Sequence, residues 1–193
     1  IHSEIRNNKV AERALENALS LQKEIGNSLH IAHCSTKEEM ELIENVKNKE
    51  ENDKKQQIRQ KKYRSLFSLS YLLPGVPYRN VSVEVTPHHL FLTKEKLNES
   101  GNFAKMNPPL RSKEDVAALW NAIDKGIVDC IATDHAPHTI EEKNQDYWTS
   151  PSGIPGLETM LPLLLNAYHE GKISLKKIAE LCCVNPAKIF KIK

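Results

Sequence analysis

No stretch of this sequence approaches the roughly 18 to 20 consecutive apolar residues that a membrane-spanning helix needs, and no charged-then-apolar leader opens it. No membrane partner is expected, and a cytoplasmic location is. Cysteine is sparse: there are four among 193 residues, two of them adjacent at Cys182 and Cys183, too few for a disulfide framework. Reduced thiols are the expectation. Charge of one sign is also lacking, because 27 Lys+Arg stand against 25 Asp+Glu for a net +2. That balance excludes the basic footprint of a dedicated nucleic-acid binder. What remains, 39% apolar and 27% charged residues, is an ordinary globular composition, and the length suits one domain with its own core. One irregularity stands out. The chain opens on Ile1 rather than Met and enters an amphipathic helix almost at once, which reads as a cut edge.

The apolar residues Val10, Ala14, Leu15, Ala18, Leu21 and Ile25 recur at three- and four-residue steps, predicting a helix with one buried stripe that stops at Gly26. Leu29 to His33 is a short apolar run. Ser35 with Glu38, or Thr36 with Glu39, then spells a capping box for a helix through Val46. Residues 47 to 62 hold seven Lys/Arg and three Asp/Glu with almost nothing apolar, so a solvated, low-complexity basic insertion is expected at about 47–75. Val81, Val83 and Val85 alternate with polar residues as a strand ending at Pro87. Ser112 and Asp115 open a helix carrying Val116, Leu119, Trp120 and Ile123, Ile127 to Thr133 is a third strand-like run, and helices follow over about 156–171 and 174–184. The alternation predicts an α/β fold, a parallel sheet covered by helices, with chemistry just beyond the carboxyl ends of the strands.

Those ends carry His33-Cys34-Ser35, Thr86-Pro87-His88-His89 and Thr133-Asp134-His135-Ala136-Pro137-His138. Imidazoles and carboxylates gathered on one sheet are what a metal site of N and O ligands requires, with zinc the commonest hydrolytic choice. His30 and His33 are three apart and point to opposite faces of a strand, so one can serve. His33 lies nearer the carboxyl end; His30 is expected to pack under the neighbouring helix. A core histidine is the bland reading of His33. Asp134 follows an apolar run, where a buried carboxylate needs a partner or a metal. Glu84 is mid-strand, either on the exposed face of an edge strand or turned inward near a metal.

His88 and His89 face different ways, and a packing or helix-start role is expected for each. Cys34 reads as a small buried hydrophobe. Asn107 precedes Pro108-Pro109, a stiff segment suited to presenting an amide to a ligand, the alternative being a turn with Arg111 on its surface. Backbone N–H groups near Ser152 and Gly153 could hold a carboxylate, or the segment is a plain loop-to-helix entry.

Taken together, LHIAHCST, VEVTPHHLFLT, KMNPPLRS, DCIATDHAPHTIEEK and SPSGIPGLETMLPLLL resemble the C-terminal part of class I dihydroorotases, in the cyclic amidohydrolase branch of the amidohydrolase superfamily. The resemblance implies about three strand–helix units of a zinc-dependent (β/α)₈ TIM barrel, running over 1–193, that interconverts N-carbamoyl-L-aspartate and L-dihydroorotate in pyrimidine synthesis. It implies that His33 and Asp134 are ligands of a binuclear zinc centre, and that Glu84 matches a position near the metals in some relatives. Asn107, His138, Ser152 and Gly153 fall where the family contacts substrate, and Asp134 is implied as the catalytic base and then acid. The implied partner is a small-molecule substrate, and a homodimer is compatible with the family.

The chain has no His-x-His pair and no counterpart of the bridging lysine or aspartate, so two of the family's metal ligands are expected here, and no turnover from this chain alone. Other cyclic amidohydrolases (dihydropyrimidinase, hydantoinase, allantoinase) and a non-catalytic barrel kept as a scaffold are the alternatives.

Overall fold

The computed structural model describes residues 2–64 and 81–192, with backbone alone over 53–64. Three parallel strands form one sheet in the order β1 (Leu29–Ile31), β2 (Val81–Val85), β3 (Cys130–Ile131), with His30 opposite Ser82 and Glu84 opposite Cys130. Two short-to-long helices precede the sheet, α1 (His2–Ile5) and α2 (Asn8–Ile25). Between β1 and β2 runs α3 (Lys37–Arg64). Between β2 and β3 lie α4 (Pro87–Phe91), α5 (Glu95–Ser100) and α6 (Lys113–Asp124). After β3 come α7 (Ile140–Lys143), α8 (Leu157–His169), α9 (Leu175–Ala179), a π-helical turn over Glu180–Val184, and α10 (Asn185–Ile189). Parallel neighbours joined by helical crossovers are the expected α/β arrangement.

Local chemistry sets the helix ends. Asn7 caps α2 by accepting from the Val10 N–H, and Gly26 ends it in the left-handed region at φ 76°. Of the two capping boxes open at the start of α3, Thr36 with Glu39 forms: Glu39 Oε2 accepts the Thr36 N–H at 2.9 Å, and Thr36 Oγ1 accepts the Glu39 N–H at 3.2 Å. Ser112 and Asp115 do the same for α6.

The sheet has two unlike faces. Val81, Val83 and Val85 are 0% exposed and join Ile43, Leu119, Ile123 and Leu164 in the main core. Ser82, Glu84, His30 and Cys130 occupy the other face, where the Phe190 ring meets His30 edge-on at 5.8 Å between centroids. His30 therefore does not pack under the helices on the core side, as expected from the sequence; a hydrogen bond to Ser82 and one to Glu84 hold it on the polar face.

Three further expectations change. The buried stripe of α2 is Leu15, Leu19 and Gln22, turned toward α3, while Val10, Leu21 and Ile25 are exposed. The helix expected to stop at Val46 continues to Arg64, so the first part of the basic stretch is helical, and residues 65–80 lie outside the described residues. Lys47, read as the start of a solvated segment, is 3% exposed. Its stem carries the ammonium under the sheet to the carboxylate of Asp129 and the carbonyl of Ile127. Asp129 Oδ2 also accepts the Val83 N–H at 2.8 Å, which ties this ion pair to β2.

Candidate active site

His33 stands just past β1 and Asp134 just past β3, at the same end of the parallel sheet. Both have a left-handed backbone, φ 40° and 47°, which non-glycine residues adopt rarely and at an energetic cost. The His33 N–H donates to Glu84 Oε1 at 3.2 Å, which fixes the turn out of β1. Glu84 is thus neither on an edge strand nor exposed. It sits on the central strand, half-buried, and its carboxyl lies below the ordinary range because hydrogen bonds from His30 and the His33 backbone outweigh the upward push of burial. Asp134 is half-buried rather than enclosed, and its carboxylate takes no hydrogen bond or ion pair among the described residues.

His30, Glu84 and Cys130 bring one ligand atom each to within 4.8 Å of one another. Both His30 nitrogens are already engaged, Nδ1 with Ser82 Oγ at 2.8 Å and Nε2 with Glu84 Oε2 at 3.0 Å, so the group closes as a hydrogen-bonded polar layer beneath the strand ends.

Thr86 caps α4, and His88 and His89 sit in its first turn, both buried. His89 is fully partnered, Nδ1 with Thr86 Oγ1 at 2.8 Å and Nε2 with the Pro108 carbonyl at 3.1 Å, the packing role expected of it. His88 Nε2 is buried without a partner among the described residues, and burial, with a smaller contribution from His33, pushes this imidazole down to about 4. Cys34 is fully buried in the main core with its thiol pushed up by burial.

A groove of about 390 Å³ runs past His33, Asn107, Arg6, Glu39 and Arg111. Asn107 is exposed and accepts from Arg6 Nη1 at 3.1 Å. Arg111 is not on the surface of a turn. It is 6% exposed, donating from Nε to Ser35 Oγ at 3.1 Å and from Nη1 to the Arg6 carbonyl at 2.6 Å, which locks the Asn107 segment to the loop after β1. Arginine after two prolines was legible as a rigid segment; that it turns inward was not.

The loop after β3 is held against residues 152–154. His138 Nε2 meets the Ser152 carbonyl at 3.1 Å, and Ala136 N–H donates to Ile154 O at 3.1 Å. Gly153 lies at φ 115°, where an added Cβ would sit 2.5 Å from Ala136 Cβ and 3.7 Å from His138 Nε2. Its N–H donates to the Lys105 carbonyl at 2.9 Å, so that amide is not free to hold a carboxylate as the sequence suggested. His135, not singled out from the sequence, accepts from the Gly156 and Leu157 N–H groups at 3.0 and 3.3 Å and so holds the start of α8.

The amidohydrolase family pattern matches residues 6–193. The dihydroorotase of Halobacterium salinarum is 37% identical over 177 residues, covering 92% of this chain and 34% of that protein. The multifunctional protein CAD of Squalus acanthias is 41% identical over 165 residues, covering 85% of the chain and 6% of that protein. Among solved structures, L-hydantoinase (dihydropyrimidinase) from Arthrobacter aurescens superposes with TM-score 0.74 at 30% identity, over 94% of this chain and 35% of its own. A D-hydantoinase gives 0.77 at 26% identity, over 97% and 36%. The chain spans about a third of the length of its dihydroorotase and hydantoinase relatives. Three parallel strands with their crossover helices, and a polar cluster at one end of the sheet, are accordingly a portion of an amidohydrolase barrel, and the chain belongs to the amidohydrolase family.

Proposed function

We propose that the protein carrying this chain is a dihydroorotase, catalysing the reversible cyclisation of N-carbamoyl-L-aspartate to L-dihydroorotate in the cytoplasm. The observation that supports the reading is that Asn107 lines the same groove as His33, while His138, on the loop that follows Asp134, meets Ser152. The dihydroorotase relatives supply the substrate class.

An imidazole and a carboxylate with no hydrogen-bond partner among the described residues, both at strand ends of one sheet, suit a borderline cation such as zinc. His33 and Asp134 would hold it, with Glu84 fixing the His33 turn, and further ligands of a binuclear centre would lie outside this chain. Zinc bound there supplies a polarised carbonyl and a nucleophile available at neutral pH.

Asp134 takes the proton of the attacking water and delivers it to the departing ring nitrogen, base in one half of the reaction and acid in the other. Asn107 and His138 orient the ring and its carboxylate, and Ser152-Gly153 closes one wall, so that the reacting atoms meet in a fixed geometry.

The test is ring opening of dihydroorotate beside hydantoin and allantoin by the protein at its full length. Turnover of dihydroorotate supports the assignment; turnover of the other two alone replaces it with another cyclic amidohydrolase activity, a reading to which the hydantoinase superpositions give weight. Zinc content well under one equivalent in that same protein would indicate a scaffold.

A further inference from the structure

Lys143, the last residue of α7, is 4% exposed, yet among the described residues no carboxylate stands within ion-pair distance of it. Its three ammonium protons go to three backbone carbonyls: Lys105 at 3.1 Å, Pro151 at 2.9 Å and Gly153 at 3.0 Å. Each acceptor belongs to a segment already placed at the site. Lys105 is two residues before Asn107, Pro151 and Gly153 flank Ser152, and Lys143 itself follows His138 through α7. The clamp is reciprocal. Lys105 Nζ donates to the Ser150 carbonyl at 2.6 Å and to that of Tyr147, and the Lys105 carbonyl also accepts the Gly153 N–H.

Two buried ammonium groups hold one loop, and among the described residues Lys143 donates to backbone carbonyls alone. Taking an ammonium out of water costs free energy unless its donors are satisfied, so the three carbonyls are held where they converge. Burial and the neighbouring Lys105 charge lower its affinity for a proton.

We infer that Lys143 is a positioning residue: it pins the Asn107, His138 and Ser152-Gly153 segments together in the arrangement that receives the substrate. This rests on the dihydroorotase reading. Lysine is suited to the task where arginine is not, since three convergent carbonyls match a tetrahedral ammonium rather than a planar fork.

The experiment uses the protein at its full length, wild type against Lys143→Gln and Lys143→Met, with dihydroorotate as substrate and orotate and its methyl ester as competitive probes that differ in the carboxylate charge. Expected are a KM raised about tenfold, a matching weakening of both orotate and its ester, and a kcat that falls by less than KM rises. Weakening of orotate with the ester unchanged, a fall in kcat at unchanged KM, or no change in either variant overturns the inference while leaving the dihydroorotase reading intact. Wild-type protein that leaves dihydroorotate unopened overturns both. Should Lys143→Met fail to fold, Lys143→Gln, whose amide keeps two donors, carries the comparison.

Discussion

His33 and Asp134 share a left-handed backbone, φ 40° and 47°, although one follows β1 and the other β3 with the whole of β2 and its helices between them. Among the described residues only Lys191, near the end of the chain, joins them as a non-glycine residue at positive φ. Strain of this kind persists where the surrounding structure over-determines it, and it concentrates at functional sites. Here it falls on the two residues that the family resemblance assigns to metal.

Replacing Asp134 by Asn in the protein at its full length should abolish turnover of dihydroorotate, by at least about a hundredfold, the usual worth of a positioned acid–base group. Thermal unfolding should shift little, since the carboxylate is half-buried and holds no partner among the described residues. Substantial residual activity in a steady-state assay would remove Asp134 from the base role.

Gly153→Ala sets a Cβ 2.5 Å from Ala136 Cβ at a φ of 115°. The loop must shift or strain by about 1–3 kcal/mol, which should raise KM and lower the melting temperature together. Calorimetry and kinetics on one preparation check it; an unaltered KM would mean that this wall does not meet substrate.

Lys47→Met removes an ion-pair partner of Asp129, leaving a carboxylate that is largely buried and held, among the described residues, by the Val83 N–H. Losing one member of a buried pair costs about 3–5 kcal/mol, so the urea midpoint should fall sharply. Adding Asp129→Asn should recover part of the loss. A double variant no more stable than the single one would show that the pair is not what the core depends on.

Stability should also respond to mild acid. His88 titrates at about 4 when folded, against 6.5 ordinarily, and His89 is likewise held well below that value, in both cases mainly by burial. Between those values the unfolded chain binds more protons than the folded one, so stability is gained as pH rises through the window and lost as it falls. Urea midpoints measured from about pH 7 to about pH 4.5 should decline, and His88→Gln should flatten the slope by roughly one proton. An unchanged slope would show that His88 stays solvated.

Much of this architecture was written locally. The spacing of Val81, Val83 and Val85, the Ser112/Asp115 box and Gly26 each specify an element through contacts within a few residues, and the three strands and their crossovers stand where those signals put them. Motifs at the strand ends fixed which residues to watch. The length of α3 was not legible, because a polar, highly charged stretch gives no periodic signal whether it is helical or not.

The sequence by itself determined the family and the order of strands and helices, because hydrophobic period, capping chemistry and short motifs act over neighbouring residues. Only the tertiary structure decided that His30 and Glu84 share the polar face, that Arg111 and Lys47 turn inward, and that Lys143 gathers three loops. Long side chains can reach either solvent or a distant carbonyl, and which one they reach depends on what the fold brings within about 3 Å of the charge.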